Sequence, residues 1–193
     1  MGYTKIIGIS IICLSSLLML ICLMKTNSNF FNLKSVISLH LKLFDSSKNQ
    51  YFIFYVLPLL FSIGLTLLYT AGETFYTNLS IIISILLSML LAILSILTEK
   101  EYNSINDVKQ KAKLHQVVKE TINAIIFDAL LCVFLLLYGL VMVVIDDVSI
   151  NIGIVKSIFA GVSYYFFTVI LLNLLLIIKR MSKIIEFTLN RNV

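Results

Sequence analysis

One acid lies inside an otherwise apolar run. Asp128 is the only charged residue between 122 and 145. A carboxyl group at membrane depth is costly, so it marks a proton relay, a gate or a satisfied polar contact. Asp128 is eight residues past Glu120, and Asn173 is six residues before Lys179 on the next, antiparallel segment. Counting inward from those charged ends puts the two at similar depth. Asp128 is therefore expected to bond Asn173, or to reach Lys179 or Arg180. Its role is then either structural or proton-coupled gating.

Nothing else in the chain is spaced for catalysis. It has no Walker loop, HExxH, GxSxG, paired-cysteine motif or pair of catalytic carboxylates. His40 and His115 are far apart, each in a basic connector. Either would be a ligand only with further partners. Cys13, Cys22 and Cys132 lie in apolar segments without metal-ligand spacing, and read as small membrane hydrophobes. The expectation is a non-enzyme with no cofactor and no metal.

The elements that must hold Asp128 follow from composition. The chain has 193 residues, 60% hydrophobic and 13% charged, where a soluble domain carries about 25% charged residues. Apolar segments occupy 6–24, 51–71, 78–98, 122–145 and 154–178, interrupted only by Asp128 and Lys156. Each is near the ~20 residues that cross a bilayer as a helix. Together they exceed half the chain. This excludes a soluble enzyme, a nucleic-acid-binding domain, a disulfide scaffold and a disordered protein. A membrane β-barrel would alternate polar and apolar residues, and these segments do not. The expected fold is an all-α polytopic integral membrane protein. It has five hydrophobic helices, four or five of them transmembrane, and a cytoplasmic juxtamembrane helix. No repeat or Pro/Gly-rich linker divides residues 1–193, so one membrane domain is expected.

Basic residues give the expected orientation. Lys25, Lys34, Lys42 and Lys48 fill the first connector, 25–50. Lys100, Lys109, Lys111, Lys113 and Lys119 fill 99–121, and Lys179, Arg180, Lys183 and Arg191 the tail, 179–193. The intervening turns carry Glu73, and Asp146 with Asp147. The positive-inside rule puts both connectors and the tail in the cytoplasm of a bacterial inner membrane. Segment 6–24 either crosses, giving five spans, or does not, giving four. It is not read as a cleaved signal, because no small-x-small site follows it and export would break the alternation.

Several features refine the layout. Residues 25–50 are half apolar and are expected on the membrane surface, with Lys34 and Lys42 at the headgroups. Phe30, Leu33, Ile37, Leu41 and Phe44 fit a helix face, while 39–43 alternates like a strand. Tyr51, Phe52, Phe54 and Tyr55 form an aromatic anchor, and Pro58 should bend the second segment as a static kink or a hinge. Ser80, Ser84, Ser88 and Ala92 share one helical face, as do Gly153, Ser157 and Gly161. Small residues at that spacing suit close helix packing, within a subunit or in a homo-oligomer. The serine face could instead line a water-filled path. Tyr164 and Tyr165, with Thr168, lie mid-span, so at least one phenol should face protein. Between Thr98 and Thr121 a helix capped at Ser104 or Asn106 should run into the fourth span. Its Lys109, Lys111, Lys113, His115 and Lys119, with Lys179, Arg180 and Lys183 of the tail, would meet anionic lipid or a soluble partner.

A short turn at Gly72-Glu73-Thr74-Phe75 joins two spans, and a charged connector opens Thr98-Glu99-Lys100-Glu101-Tyr102-Asn103. A second pair of spans and a short basic tail follow. Over its whole length this pattern resembles the KwaA-like membrane subunits of the Kiwa bacterial antiphage defence system. The resemblance implies an inner-membrane sensor and scaffold without catalysis. It would oligomerise and hold a soluble cytoplasmic, DNA-directed effector of the KwaB kind, with no direct nucleic acid binding of its own. The resemblance carries no residue-level motif. Two alternatives differ in kind. One is an oligomeric pore-forming effector, with the Ser80–Ser84–Ser88 face and Asp128 along its path. The other is an accessory subunit of a larger transporter, although no inverted repeat or pair of broken helices appears.

Overall fold

The computed structural model describes residues 7, 8, 11, 14, 15, 33–42, 48–69, 71–99, 108–147 and 153–189. They are helical almost throughout, with no strand among them. Helix α1 is Leu33–Lys42. Helix α2 is one run made of Lys48–Tyr51, Phe52–Val56 and Leu57–Leu68. Helices α3, α4 and α5 are Glu73–Glu99, Val108–Asp147 and Gly153–Leu189. Four stretches are long and apolar enough to cross a membrane: Asn49–Leu68, Glu73–Glu99, Gln110–Val144 and Lys156–Phe187. The protein is an all-α multi-pass membrane protein. Of segment 6–24, Ile7, Ile11 and Leu14 are helical and exposed. The rest of that segment, and the caps expected at Ser104 or Asn106, lie outside the described residues.

The two longest helices exceed a bilayer. At 1.5 Å per residue, the 40 residues of α4 span about 60 Å and the 37 of α5 about 55 Å, against a hydrocarbon core of about 30 Å. The connector helix expected before the fourth span is thus the start of α4 itself. The tail continues α5 as helix to Leu189. No proline or glycine interrupts 179–189, so nothing there stops a helix already nucleated in the membrane.

Neighbours in space are not all neighbours in sequence. The spans form a row α2–α5–α4–α3, with α1 against α4. Helices α2 and α3 are joined by a short turn, yet each packs on a different partner. The core stripe runs Leu79, Ile83, Leu90 and Leu97 on α3, then Leu114, Val118, Ile125, Cys132 and Leu135 on α4. Ile170, Ile177 and Ile184 complete it on α5. Steps of three, four and seven keep these side chains on one face of each helix. The outward faces carry Leu67, Leu68, Ile85, Leu140 and Leu175, all exposed and apolar, the surface that lipid covers.

Pro58 acts through the turn that precedes it. It lacks an N–H, and its ring crowds the carbonyl four residues back, here that of Phe54. The helix answers with π geometry over Phe52–Val56, where the Leu57 N–H donates to the Phe52 carbonyl five residues back. The bend expected at Pro58 thus appears as a π segment before it, with Pro58 itself buried.

In lipid, close packing rather than hydrophobicity drives helix association. A Cβ on Gly139 of α4 would sit 3.0 Å from the Ser80 Oγ of α3. The substitution Gly139→Val should therefore cost about 1–3 kcal/mol by overpacking. Thermal unfolding in detergent should show the loss, and Ser80→Ala in the same chain should recover part of it by removing the obstructing oxygen.

Candidate functional site

The described polar side chains converge where α1, α4 and α5 meet, near the end of the bundle rich in lysine. On α1, His40 alone is buried. It is completely enclosed, its ring stacked on Phe127 of α4 with centroids 3.8 Å apart and planes 7° from parallel. The α1 face turned inward is therefore Leu33, Val36 and His40. The apolar face expected from the sequence included Ile37 and Leu41, and these are exposed together with Leu39. The helix has two apolar stripes, and the one bearing the histidine faces protein. Residues 39–42 are helix, not strand.

Asp128 and Asn173 form the centre. Both are buried, and the Asn173 Nδ2 donates to Asp128 Oδ1 at 2.9 Å. This is the contact that equal depth on antiparallel helices predicts. Asp128 Oδ2 is buried with no hydrogen-bond partner among the described residues. Arg180 does not reach Asp128. Its Nη2 instead pairs with Glu120 Oε2 at 3.3 Å, while the Gln116 Nε2 donates to Glu120 Oε1 at 2.9 Å. Lys179 is exposed. Two helical turns along α4 from Asp128, toward the basic end, buried Thr121 donates to the Val117 carbonyl at 2.7 Å. The π segment of α2 packs on α5, with Tyr55 in electrostatic reach of Tyr165 and Asp128.

Burial is the largest influence on His40, and it lowers the imidazole pKa from 6.5 to about 4. The Arg180 guanidinium lowers it further, and the Asn173 side chain opposes them weakly. His40 is thus neutral in its seat at physiological pH.

The small-residue faces divide. Ser80 touches Gly139, but Ser84, Ser88 and Ala92 are exposed on the outside of the subunit. The hydroxyls of Ser80, Ser84 and Ser88 donate to the carbonyls four residues back. Each is satisfied by its own helix and needs no neighbour. On α5, a Cβ at Gly161 would lie 3.1 Å from the Thr66 Oγ1, so this face packs on α2 within the subunit. Ser157 and Gly161 line an apolar groove of about 640 Å³ between α2 and α5, with Ser62, Thr66 and Tyr165. Gly153 begins α5, and what it packs against lies outside the described residues. Tyr164 is buried against Phe75, as one mid-span phenol was expected to be, but its hydroxyl has no hydrogen-bond partner among the described residues. Tyr165 is half-buried. Lys111, Lys113, His115, Lys119 and Lys183 are exposed, and the Lys109 side chain lies outside the described residues.

Chemically, the cluster can hold or exclude a proton and can fix α1 to the α4–α5 pair. Among the described residues no three His, Cys, Asp or Glu side chains converge as metal ligands would. Sequence reasoning missed the seating of His40, the Glu120–Arg180 pair and the hydrogen bond from Tyr138 to the Phe159 carbonyl at 2.8 Å. A step of three then four, Leu33–Val36–His40, was the available signal for the first. In comparisons, no family model, curated protein or solved structure matches the chain.

Proposed function

We propose that the chain is a non-catalytic subunit of the bacterial inner membrane that holds a soluble partner against its basic, cytoplasmic end. One observation carries this reading. Helices α4 and α5 run past the apolar region as a packed pair, with Leu114, Val118 and Ile184 buried between helices of the bundle. Lys111, Lys113, Lys119, Lys179 and Lys183 stay exposed on it. A rigid helical platform with a basic surface suits an acidic protein face. Rim charges of this kind steer partners and set specificity.

The positive-inside rule supports a cytoplasmic position for this end and for the C-terminus. The resemblance to the Kiwa membrane subunits supplies the biological setting. The chain would oligomerise, respond to phage infection at the envelope and retain a KwaB-like, DNA-directed effector, without touching nucleic acid itself. Direct lipid contact by the same lysines is compatible, because a helix near the surface has a lipid side and a free side.

A pore-forming effector is the second reading, favoured by one feature. Ser84, Ser88 and Ala92 face outward from the subunit, where a second copy could meet them around a shared path. Cells expressing the chain with a potential-sensitive dye separate the two. The scaffold reading expects an unchanged membrane potential, with and without the infecting trigger. Depolarisation that disappears with Ser84→Leu and Ser88→Leu would replace it with the pore.

A further inference from the structure

We propose that His40 makes α1 an acid-releasable latch: the neutral imidazole seats α1 on the α4–α5 pair, and the protonated imidazole leaves that seat. The geometry makes His40 the deepest point of the attachment of α1. Among the spans, α1 packs extensively on α4 alone, and His40 is its one buried side chain. The remaining contacts of the inward stripe are the half-buried Leu33 and Val36. Ring-on-ring stacking against Phe127 at 3.8 Å fills the seat, so unseating that side chain removes the one fully buried contact of α1.

Among the described residues, the groups around the seat set the direction. From α5, Arg180 faces the imidazole, and Asn173 lies within reach of it. Arg180 is cationic and repels an imidazolium. From α4, Phe127 is uncharged, Glu120 is held by Arg180 and Gln116, and Asp128 binds Asn173 through Oδ1 while its Oδ2 has no partner among the described residues. On α1 itself, Lys34 and Lys42 are exposed and cationic. The opposing possibility is that Asp128 attracts an imidazolium. That would tighten the seat in acid, so the sign of the pH response separates the two.

Linkage then fixes the pH window. Seated His40 has its pKa lowered to about 4 from the 6.5 it has in water. Released α1 therefore binds a proton more readily than seated α1. The seat is fully favoured above pH 6.5. Its seated-to-released ratio falls by about tenfold per pH unit below that, until the seated form protonates near pH 4. Release uncovers Phe127, beside the Asp128–Asn173 bond. The position of α1 at the membrane surface is thereby tied to the polar centre of the spans.

The test is a spin-label distance in the full chain, reconstituted in lipid nanodiscs. Labels go on Ser38→Cys and Ala112→Cys, both exposed positions on α1 and α4. The background carries Cys13→Ala, Cys22→Ala and Cys132→Ala. One short distance is expected at neutral pH, with a longer population growing steeply as pH falls from 6.5 toward 4. His40→Phe stacks without titrating and should keep the short distance throughout. His40→Gln, neutral and small enough for the seat, serves if the phenylalanine variant does not fold. A distance unchanged down to pH 4, a seat that tightens in acid, or release persisting in the non-titrating variant would each overturn the latch.

Discussion

Replacing Asn173 with leucine should destabilise the protein by about 1–3 kcal/mol, the cost of leaving a buried polar group unbonded. Among the described residues, the substitution removes the one hydrogen bond that Asp128 makes, and its second oxygen has no partner there. It also removes the amide within reach of His40. Asp128→Leu should cost a similar amount by orphaning the Asn173 amide. The informative chain is the double variant. Leucine is close in shape to both side chains, and replacing both partners of a buried bond with apolar groups is nearly neutral. Asp128→Leu with Asn173→Leu should therefore be more stable than either single variant. Asp128→Asn keeps an acceptor at Oδ1 and should change stability little. Unfolding of the four chains in detergent checks the ranking. Strictly additive losses would mean that the bond contributes nothing as a pair. If Asp128→Asn is stable but inactive in cells, the group acts through its proton rather than through packing.

Reversing the exposed lysines should have the largest effect on function with the least on fold. Lys111, Lys113, Lys119 and Lys183 are exposed. Glutamate at all four turns a basic surface acidic without touching the core, since Leu114, Val118 and Ile184 remain in place. Single exposed ion pairs contribute little. Four reversals acting together replace attraction with repulsion, and should weaken a charge-complementary partner about a hundredfold or more. Salt should imitate the effect in the unmodified chain, because exposed charges are screened beyond about 10 Å at 0.1 M. Arg180 is left alone in this design. It is bound to Glu120 and faces His40, so its loss would confuse fold with binding.

The particular residues show what a sequence can and cannot reveal here. Asp128 and Asn173 were legible because antiparallel spans convert distance from a charged end into depth. The spans were legible because lipid demands about 20 apolar residues and leaves no ambiguity of period. His40 was not legible as a seat. Helix α1 offers two apolar stripes, and a polar residue within one of them disguises the stripe that turns inward. The serine face was legible as a face but not as a contact. Ser84 and Ser88 are satisfied by their own backbones, so spacing alone says nothing about what lies opposite. Nor does a short turn make neighbours, as α2 and α3 show. Packing is chosen by surface fit, here Gly161 to Thr66 and Gly139 to Ser80.

The central claim is that the basic end of the α4–α5 pair holds a soluble protein. The most direct measurement is affinity purification of the tagged full chain from its native cells in mild detergent, beside the chain carrying Lys111→Glu, Lys113→Glu, Lys119→Glu and Lys183→Glu. Mass spectrometry then identifies what accompanies each. A soluble partner in fixed ratio with the unmodified chain, and lost from an equally well-folded reversed chain, is the predicted result. The same partner retained by both chains, or no soluble partner with either, would contradict it.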